Sequence, residues 1–301
     1  MKSVAVIGQG FVGGTLAQVL TERGCPVLSY DKAKGARGWI PYDGLGSIAG
    51  LVAAAEARKD FSGIYFVCVP TPMSKSGMAD VSIVAQVIAQ IADAVTRPSV
   101  AVVKSTVPPG STEIWNRMCG EGQLHVVFNP EFLTEANALD DMREQTRIVL
   151  GGPRPWINQV RLFYRSAFPK TPIIKTSSTM AEMVKYFTNV QLAARVVLSC
   201  ELWQVCEALD KQGLNIDYDK VVEYAGLDPR LGGSHMNVPG NDGVPGARGH
   251  CFPKDLNALI AVARQAGVSP TVMEAVWRKN LEVVPEAERD WEKMLGRAVS
   301  A

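Results

Sequence analysis

The chain has 301 residues, enough for two domains of ordinary size or one large one. Lys+Arg 31 against Asp+Glu 30 leaves a formal charge of +1, which excludes the basic excess that neutralises a nucleic-acid backbone, and a 47% hydrophobic share with 20% charged residues is that of an ordinary globular protein and argues against long disordered tails. No stretch approaches the roughly 18 apolar residues of a membrane helix, and the apolar start at 4–7 has neither the length nor the cleavage site of a signal peptide, so a soluble, cytoplasmic chain without membrane or nucleic-acid partners is expected.

In chain order, short β-branched runs at 4–7, 27–30, 64–69, 100–104 and 125–128, with weaker ones at 148–150 and 173–175, read as strands. Helical stretches lie between them, such as 11–23 and 81–95, where apolar residues recur at helical spacing. Strands alternating with helices predict parallel βαβ units. After Thr176 the β-branched runs vanish, and about 179–211 reads as one long helix without Gly or Pro, with Ser177, Ser178 and Thr179 as N-cap candidates. At roughly 1.5 Å per residue it would span at least about 45 Å, long enough to tie two domains or two subunits together. Residues 226–249 form a loop dense in Gly, Pro, Asn and Asp, and structureless loops of that length are usually functional. Helical pattern resumes at Pro253 and again near Thr271.

The first strand runs into Gly8-Gln9-Gly10-Phe11-Val12-Gly13. A Gly-rich turn can be a mere connector, but here it sits between a strand and a helix, as a dinucleotide fingerprint requires. Gly8 permits the tight turn, Gly10 lets a pyrophosphate approach the backbone, and Gly13 lets helix and strand pack closely, while Phe11 and Val12 open the helix whose N-terminus faces the phosphate. Asp31 ends the second strand, where a carboxylate accepts from both ribose hydroxyls and repels a 2′-phosphate; NAD is therefore expected over NADP, a preference that Lys32 and Lys34 weaken. The expected fold is α/β: a Rossmann-like parallel sheet domain at 1–175, joined by the long helix to a smaller all-α domain at 176–301.

Six cysteines without a CxxC pair fit neither a disulfide scaffold nor a zinc site, and the three histidines have no metal-ligand spacing, so no metal is expected. Cys251 stands apart from the others. It lies in Gly249-His250-Cys251-Phe252-Pro253-Lys254-Asp255, where Pro253 suits a first helical turn. A thiol beside a helix N-terminus and Lys254 is expected to ionise readily and act as a nucleophile. Lys185 and Asn189 are four residues apart on the long helix and share a face, which could be a solvated stripe or could deliver an ammonium and an amide to one site.

With these residues collected, the sequence resembles the UDP-glucose/GDP-mannose dehydrogenase family. The motifs that carry the resemblance are GQGFVGG at the start, VCVPTP at 67–72, KSTVPPGST at 104–112, NPEFLTEA at 129–136, the 182–201 helix, Asp228-Pro229-Arg230, and GHCFPKD at 249–255. It implies an NAD-dependent four-electron oxidation of a nucleotide-sugar primary alcohol, UDP-glucose first, to the uronic acid. Cys251 would add to the intermediate aldehyde, giving a thiohemiacetal and then a thioester that water hydrolyses. Lys185 and Asn189 would stabilise developing negative oxygen, Glu131 would act as general base, and Thr106 with Asp255 would position the water. Pro70, Thr71, Ser105 and Glu135 would border the cofactor. Phe132, Leu133 and Thr134 would contact the sugar nucleotide, and Arg230 would reach the substrate of a neighbouring subunit in a homodimer.

Two departures from the family pattern stand out. Members typically carry a third, Rossmann-like domain, and here the sequence stops at Ala301; Ala247 and Arg248 replace residues of a GFGG run. Arg248, next to Gly249, could neutralise a substrate diphosphate. Two alternatives are a two-electron β-hydroxyacid dehydrogenase, which needs no cysteine, and a catalytically weak subunit that partners a full-length enzyme.

Overall fold

In the computed structural model, which describes residues 1–33, 46–134 and 136–300, the β-branched runs become strands of one seven-stranded sheet. This sheet belongs to a first unit, Met1–Thr71 with Val81–Lys185. Along the chain come β1 (Ser3–Ile7), α1 (Phe11–Glu22), β2 (Val27–Tyr30), α2 (Ile48–Glu56), β3 (Phe61–Val67), α3 (Ser82–Ala94), β4 (Ser99–Val103), α4 (Ser111–Cys119), β5 (Leu124–Phe128), α5 (Ala138–Arg143), β6 (Ile148–Gly151), α6 (Trp156–Ala167) and β7 (Ile173–Thr176). The strand order is β2-β1-β3-β4-β5-β6-β7.

Period-two alternation explains why the central strands are apolar on both faces. Ala5, Ile7, Tyr65, Val67, Ala101 and Val103 pack with α2 and α3 on one side, whereas Val4, Val6, Ile64, Phe66, Val100 and Val102 pack with α1 and α6 on the other. Apolar residues of α3 recur where one helical face needs them, at Val84, Val87, Ile88 and Ile91. The sheet is not parallel throughout. β6 pairs antiparallel with β5, and β7 parallel with β6, so the last two strands reverse the direction of the first five. An antiparallel neighbour needs no crossover helix, and the intervening chain supplies only the six-residue α5.

The long helix α7 runs Ser178–Asp210, 33 residues, about 50 Å at 1.5 Å per residue. The unit boundary falls inside it, between Lys185 and Tyr186, rather than at 175/176, and residues 72–80 join the second unit. That unit holds the remainder of α7 with α8 (Tyr218–Ala225), α9 (Phe252–Gln265), α10 (Thr271–Val283) and α11 (Asp290–Lys293). Its cores gather Tyr186, Val190, Leu256, Leu259 and Ile260 in one cluster and Cys200, Tyr218, Val283 and Trp291 in another. The unit is helical apart from isolated bridges, such as those of Met73 with Ala79 and Val299. No strand or helix interrupts residues 226–251.

Candidate active site

One cluster of candidate residues lies where the strand order reverses. β1 and β3 are neighbours, and β2 lies on the far side of β1, so the loops after β1 and β3 flank a topological switch point, the usual ligand position in such sheets. Gly8 holds φ +89°, and a Cβ there would come within 2.5 Å of the Cys68 carbonyl oxygen. A Cβ on Gly13 would sit 1.8 Å from the Gly8 carbonyl oxygen. Both glycines are thus required by the turn itself. Gly10 is different, because a Cβ there would meet nothing within 4 Å. Gly10 caps α1 without a side-chain hydrogen bond, and the first turn carries no acidic residue. Open space before an uncapped helix start fits an anionic diphosphate.

Asp31, just beyond β2, accepts from the Gln9 amide through Oδ2 at 2.6 Å and from the Ala33 amide through Oδ1 at 2.8 Å. Its carboxylate is therefore fixed beside the glycine turn, as a ribose-binding acid must be. Pro70 is exposed and Thr71 buried at the end of the β3 loop. Ser105 donates to the Val69 carbonyl at 2.6 Å, tying the loops after β3 and β4 together. These residues fit NAD. Glu135 and Lys34 lie outside the described residues. A cavity of about 500 Å³ in this unit, lined by Met1, Lys2, Ser62 and Trp156 among others, lies at the opposite, N-terminal strand ends.

After β5, Glu131 and Lys185 form a buried ion pair at 2.8 Å, their side chains 6% and 3% exposed. Burial alone would raise the Glu131 pKa, but the Lys185 charge and hydrogen bond, the Leu133 amide and the Lys104 charge together outweigh it, and the carboxyl is held below its ordinary value. Glu131 is therefore an anion at neutral pH, able to receive a proton. Phe132 is stacked by Arg147 at 4.0 Å and lies 5.7 Å from the Lys185 ammonium. Leu133 packs at the edge of the sheet core, and Thr134 donates twice to Asp141. Thr106 is buried just beyond β4.

A separate cluster of candidate residues lies in the helical unit. Cys251 is the N-cap of α9 and makes no side-chain cap bond; Pro253 occupies the first turn, as the sequence suggests. The thiol is partly exposed, as are those of Cys68, Cys119 and Cys206. Asp255, fully buried, accepts from Asn189 Nδ2 at 2.5 Å and forms a close ion pair with Lys254. Asn189 is thereby oriented by a charged partner instead of facing solvent. Arg230 is 89% exposed and paired with Asp228. Arg248 does not stand free for a diphosphate: it faces Asp242, Glu288 and Asp290, which a substrate would have to displace. Gly249 donates its amide to Asp290.

Sequence reasoning assigned nothing to Lys104, Asn129 and Tyr164, which form a buried network in the first unit. A lysine at a strand's end, in an otherwise apolar run, was the available signal for Lys104. Glu182 was likewise missed as a remote cap: its carboxylate accepts from the Gly110 and Thr112 amides at the start of α4. Among the described residues no group of three His, Cys, Asp or Glu could hold a metal ion, and no helix is long and apolar enough to cross a membrane.

Comparison with known proteins adds to this geometry. Residues 51–166 match the UDP-glucose/GDP-mannose dehydrogenase family, NAD binding domain, and residues 179–282 match the same family's central domain. The putative UDP-glucose 6-dehydrogenase YtcA of Bacillus subtilis is 31% identical over 92% of this chain and 67% of its own length. Among solved structures, a UDP-glucose dehydrogenase from Pyrobaculum islandicum is 29% identical with a TM-score of 0.75, over 93% of this chain and 68% of that one. The fold is shared more widely, with a 3-hydroxyisobutyrate dehydrogenase of Mycobacterium tuberculosis at 16% identity and a TM-score of 0.70 over 96% of both chains. The chain spans 63% to 67% of the length of the first curated relatives. Two matching domains in order, and a relative 31% identical of which this chain covers two thirds, place the chain in the UDP-glucose/GDP-mannose dehydrogenase family.

Proposed function

We propose that this chain oxidises the primary alcohol of a nucleotide sugar, UDP-glucose first among candidates, to the carboxylate in two successive NAD-dependent steps. The reading places it in the cytoplasm, where NAD and nucleotide sugars are both present. The observation that carries it is the thiol of Cys251 at the N-cap of a 14-residue helix, partly exposed and one turn from the buried Asn189–Asp255 pair. A two-electron hydroxyacid dehydrogenase shares the fold but has no use for that thiol.

NAD, when bound by the glycine turn and Asp31, would supply the hydride acceptor for each oxidation. The chain's own residues do the rest. In the first step Glu131, ionised beside Lys185, receives the hydroxyl proton as the alcohol becomes an aldehyde. Cys251 sulfur then adds to the aldehyde carbon, and the carbonyl oxygen takes a proton to give a thiohemiacetal. The Lys185 ammonium and the Asn189 amide stabilise the oxygen as it becomes negative. Loss of the second hydride and the hydroxyl proton leaves a thioester on Cys251. Water adds to its carbonyl carbon, the C–S bond breaks, and the acid leaves as the thiol is restored. Asp255, held by Asn189 and Lys254, and Thr106 are the residues we assign to orienting that water.

The surface of α7 supports the homodimer that belongs to this reading. Met180, Phe187, Leu198, Leu202 and Val205 are exposed and recur at helical spacing along one stripe. A second copy of the chain would cover it, and the exposed Arg230 would then be available to the partner's substrate.

The test is an NADH-production screen with purified UDP- and GDP-sugars. Two molecules of NADH per molecule of acid from one of them supports the reading. One NADH per substrate, or none with any sugar nucleotide, overturns it.

A further inference from the structure

The loop that leads into Cys251 is fastened, residue by residue, to the C-terminal part of its own unit. Gly246 holds φ +97°, and a Cβ there would come within 2.3 Å of Val284 and 3.0 Å of the Asn280 Oδ1. The side chain of Asn280, 1% exposed, reads both backbone groups of Ala247: Oδ1 accepts from its amide at 2.7 Å and Nδ2 donates to its carbonyl at 3.0 Å. Arg248, its side chain 12% exposed, donates Nε to the Glu288 carbonyl at 2.9 Å and pairs through Nη1 with Asp242 at 2.8 Å. Its Nη2 lies 3.6 Å from the Glu288 carboxylate and 3.7 Å from that of Asp290. The Gly249 amide points at both carboxylate oxygens of Asp290, each 3.2 Å away. Asp290 is itself held by the Trp291 amide at 2.9 Å, and Trp291 is buried against Trp277.

Four consecutive residues, 246 to 249, are thus pinned by α10 and the segment 288–290, while the preceding loop carries exposed residues at 239–243. Covalent geometry then limits the nucleophile, because two residues span at most about 7 Å. A guanidinium is suited to this task, since its five N–H groups lie in one plane and can serve several acceptors at once, as a lysine ammonium on a flexible stem cannot.

We propose that Arg248 and Asp290 are positioning residues: they latch the 246–249 loop to the C-terminal segment of the helical unit, and this latch fixes where the Cys251 thiol stands. The proposal rests on the reading of Cys251 as the nucleophile. It differs from a substrate role for Arg248, because a positioning residue governs the rate of chemistry whereas a diphosphate ligand governs affinity. A nucleophile displaced by about 1 Å loses on the order of 10²-fold in rate.

The test compares Arg248→Ala, Arg248→Lys and the nearly isosteric Asp290→Asn with the unaltered chain. Two readouts are used: kcat and KM with UDP-glucose and NAD, and the rate of Cys251 alkylation by iodoacetamide, followed on the peptide containing residue 251. In Arg248→Ala and Asp290→Asn, kcat is expected to fall about 10- to 100-fold, with KM for UDP-glucose within about two-fold of its starting value, and the alkylation rate to change at least about three-fold. Arg248→Lys is expected to restore less than half of the lost kcat. Should Arg248→Ala fail to fold, Asp290→Asn carries the test alone. A tenfold rise in KM for UDP-glucose with kcat unchanged overturns the proposal in favour of substrate binding, and an unchanged alkylation rate in both variants overturns it outright. If the unaltered chain produces no NADH, the functional reading fails, and the alkylation comparison still decides the latch.

Discussion

Lys104 offers a direct check on the physical reading of the first unit. It is 4% exposed, beyond β4, and its ammonium donates to Asn129 Oδ1 at 2.9 Å, which also accepts from Tyr164 at 2.5 Å. Burial pulls its pKa from 10.5 down to about 8. A depression of about 2.5 units at 1.36 kcal/mol each means that a protonated Lys104 costs the fold about 3 kcal/mol. Below pH 8 both folded and unfolded chains hold the proton, and this cost stands in full. Between pH 8 and 10.5 the unfolded chain retains a proton that the folded chain has released, so stability rises with pH and the cost vanishes. Lys104→Met removes the titrating group, fills similar space with a flexible apolar side chain, and loses hydrogen bonding worth about 1 kcal/mol. The variant should therefore be about 2 kcal/mol more stable than the parent at pH 7 and about 1 kcal/mol less stable near pH 10.5. Urea unfolding of both proteins by far-ultraviolet circular dichroism, at each pH, measures the difference, and titrating groups other than Cys68, Glu131 and Lys185, which interact with Lys104, cancel. A difference that stays flat across this range, or a variant less stable at pH 7, would mean that burial of Lys104 does not cost the fold stability.

Other outcomes follow from named contacts. Gly10→Ala should leave stability within about 0.5 kcal/mol yet weaken NAD binding at least tenfold by titration calorimetry, whereas Gly13→Ala, which drives a Cβ into the Gly8 carbonyl, should impair folding itself; equal effects would argue against an open diphosphate site at Gly10. Glu131→Gln takes the anion from the buried Lys185 pair and should cost about 3 to 5 kcal/mol at pH 7. Because the Glu131 pKa is depressed on folding, that cost should shrink as pH falls and the parent's own carboxylate protonates; a cost that persists unchanged in acid would count against the pair. Leu202→Lys, on the exposed stripe of α7, should raise the dimer dissociation constant by about 10²-fold or more in sedimentation, and a chain that is already monomeric would remove α7 as an interface.

Much of the first unit is legible in the sequence because its physics is local. Strands at 27–30 and 125–128 announce themselves through short runs of mainly aliphatic and aromatic residues, and α3 through apolar residues on one helical face; β2, β5 and α3 form within a residue of those positions. The direction of β6 was not legible. An antiparallel neighbour differs from a parallel one only in how the connection returns, and the β5–β6 connection carries no periodic signal to say so. Gly8 and Gly13 could be read from the turn's steric demands, and Cys251 from its place ahead of Pro253. What escaped is what depends on partners far along the chain: Asn280 clamps Ala247 across 33 residues, Asp290 meets Gly249 across 41, and Glu182 caps α4 across 70 or more. Each such residue looks, in sequence, like an ordinary polar position on a helix or loop. Arg248 shows the same gap, since its charge suggested a phosphate while its carboxylate partners lie up to 42 residues away.

The proposed chemistry attaches the substrate covalently to Cys251. The measurement that reaches it most directly is mass spectrometry of the protein quenched in acid during turnover with UDP-glucose and NAD. An acyl adduct is expected on the peptide containing residue 251, and neither adduct nor acid product from Cys251→Ser. A Cys251→Ser protein that forms the acid at the unaltered rate, with no adduct in either protein, would contradict it.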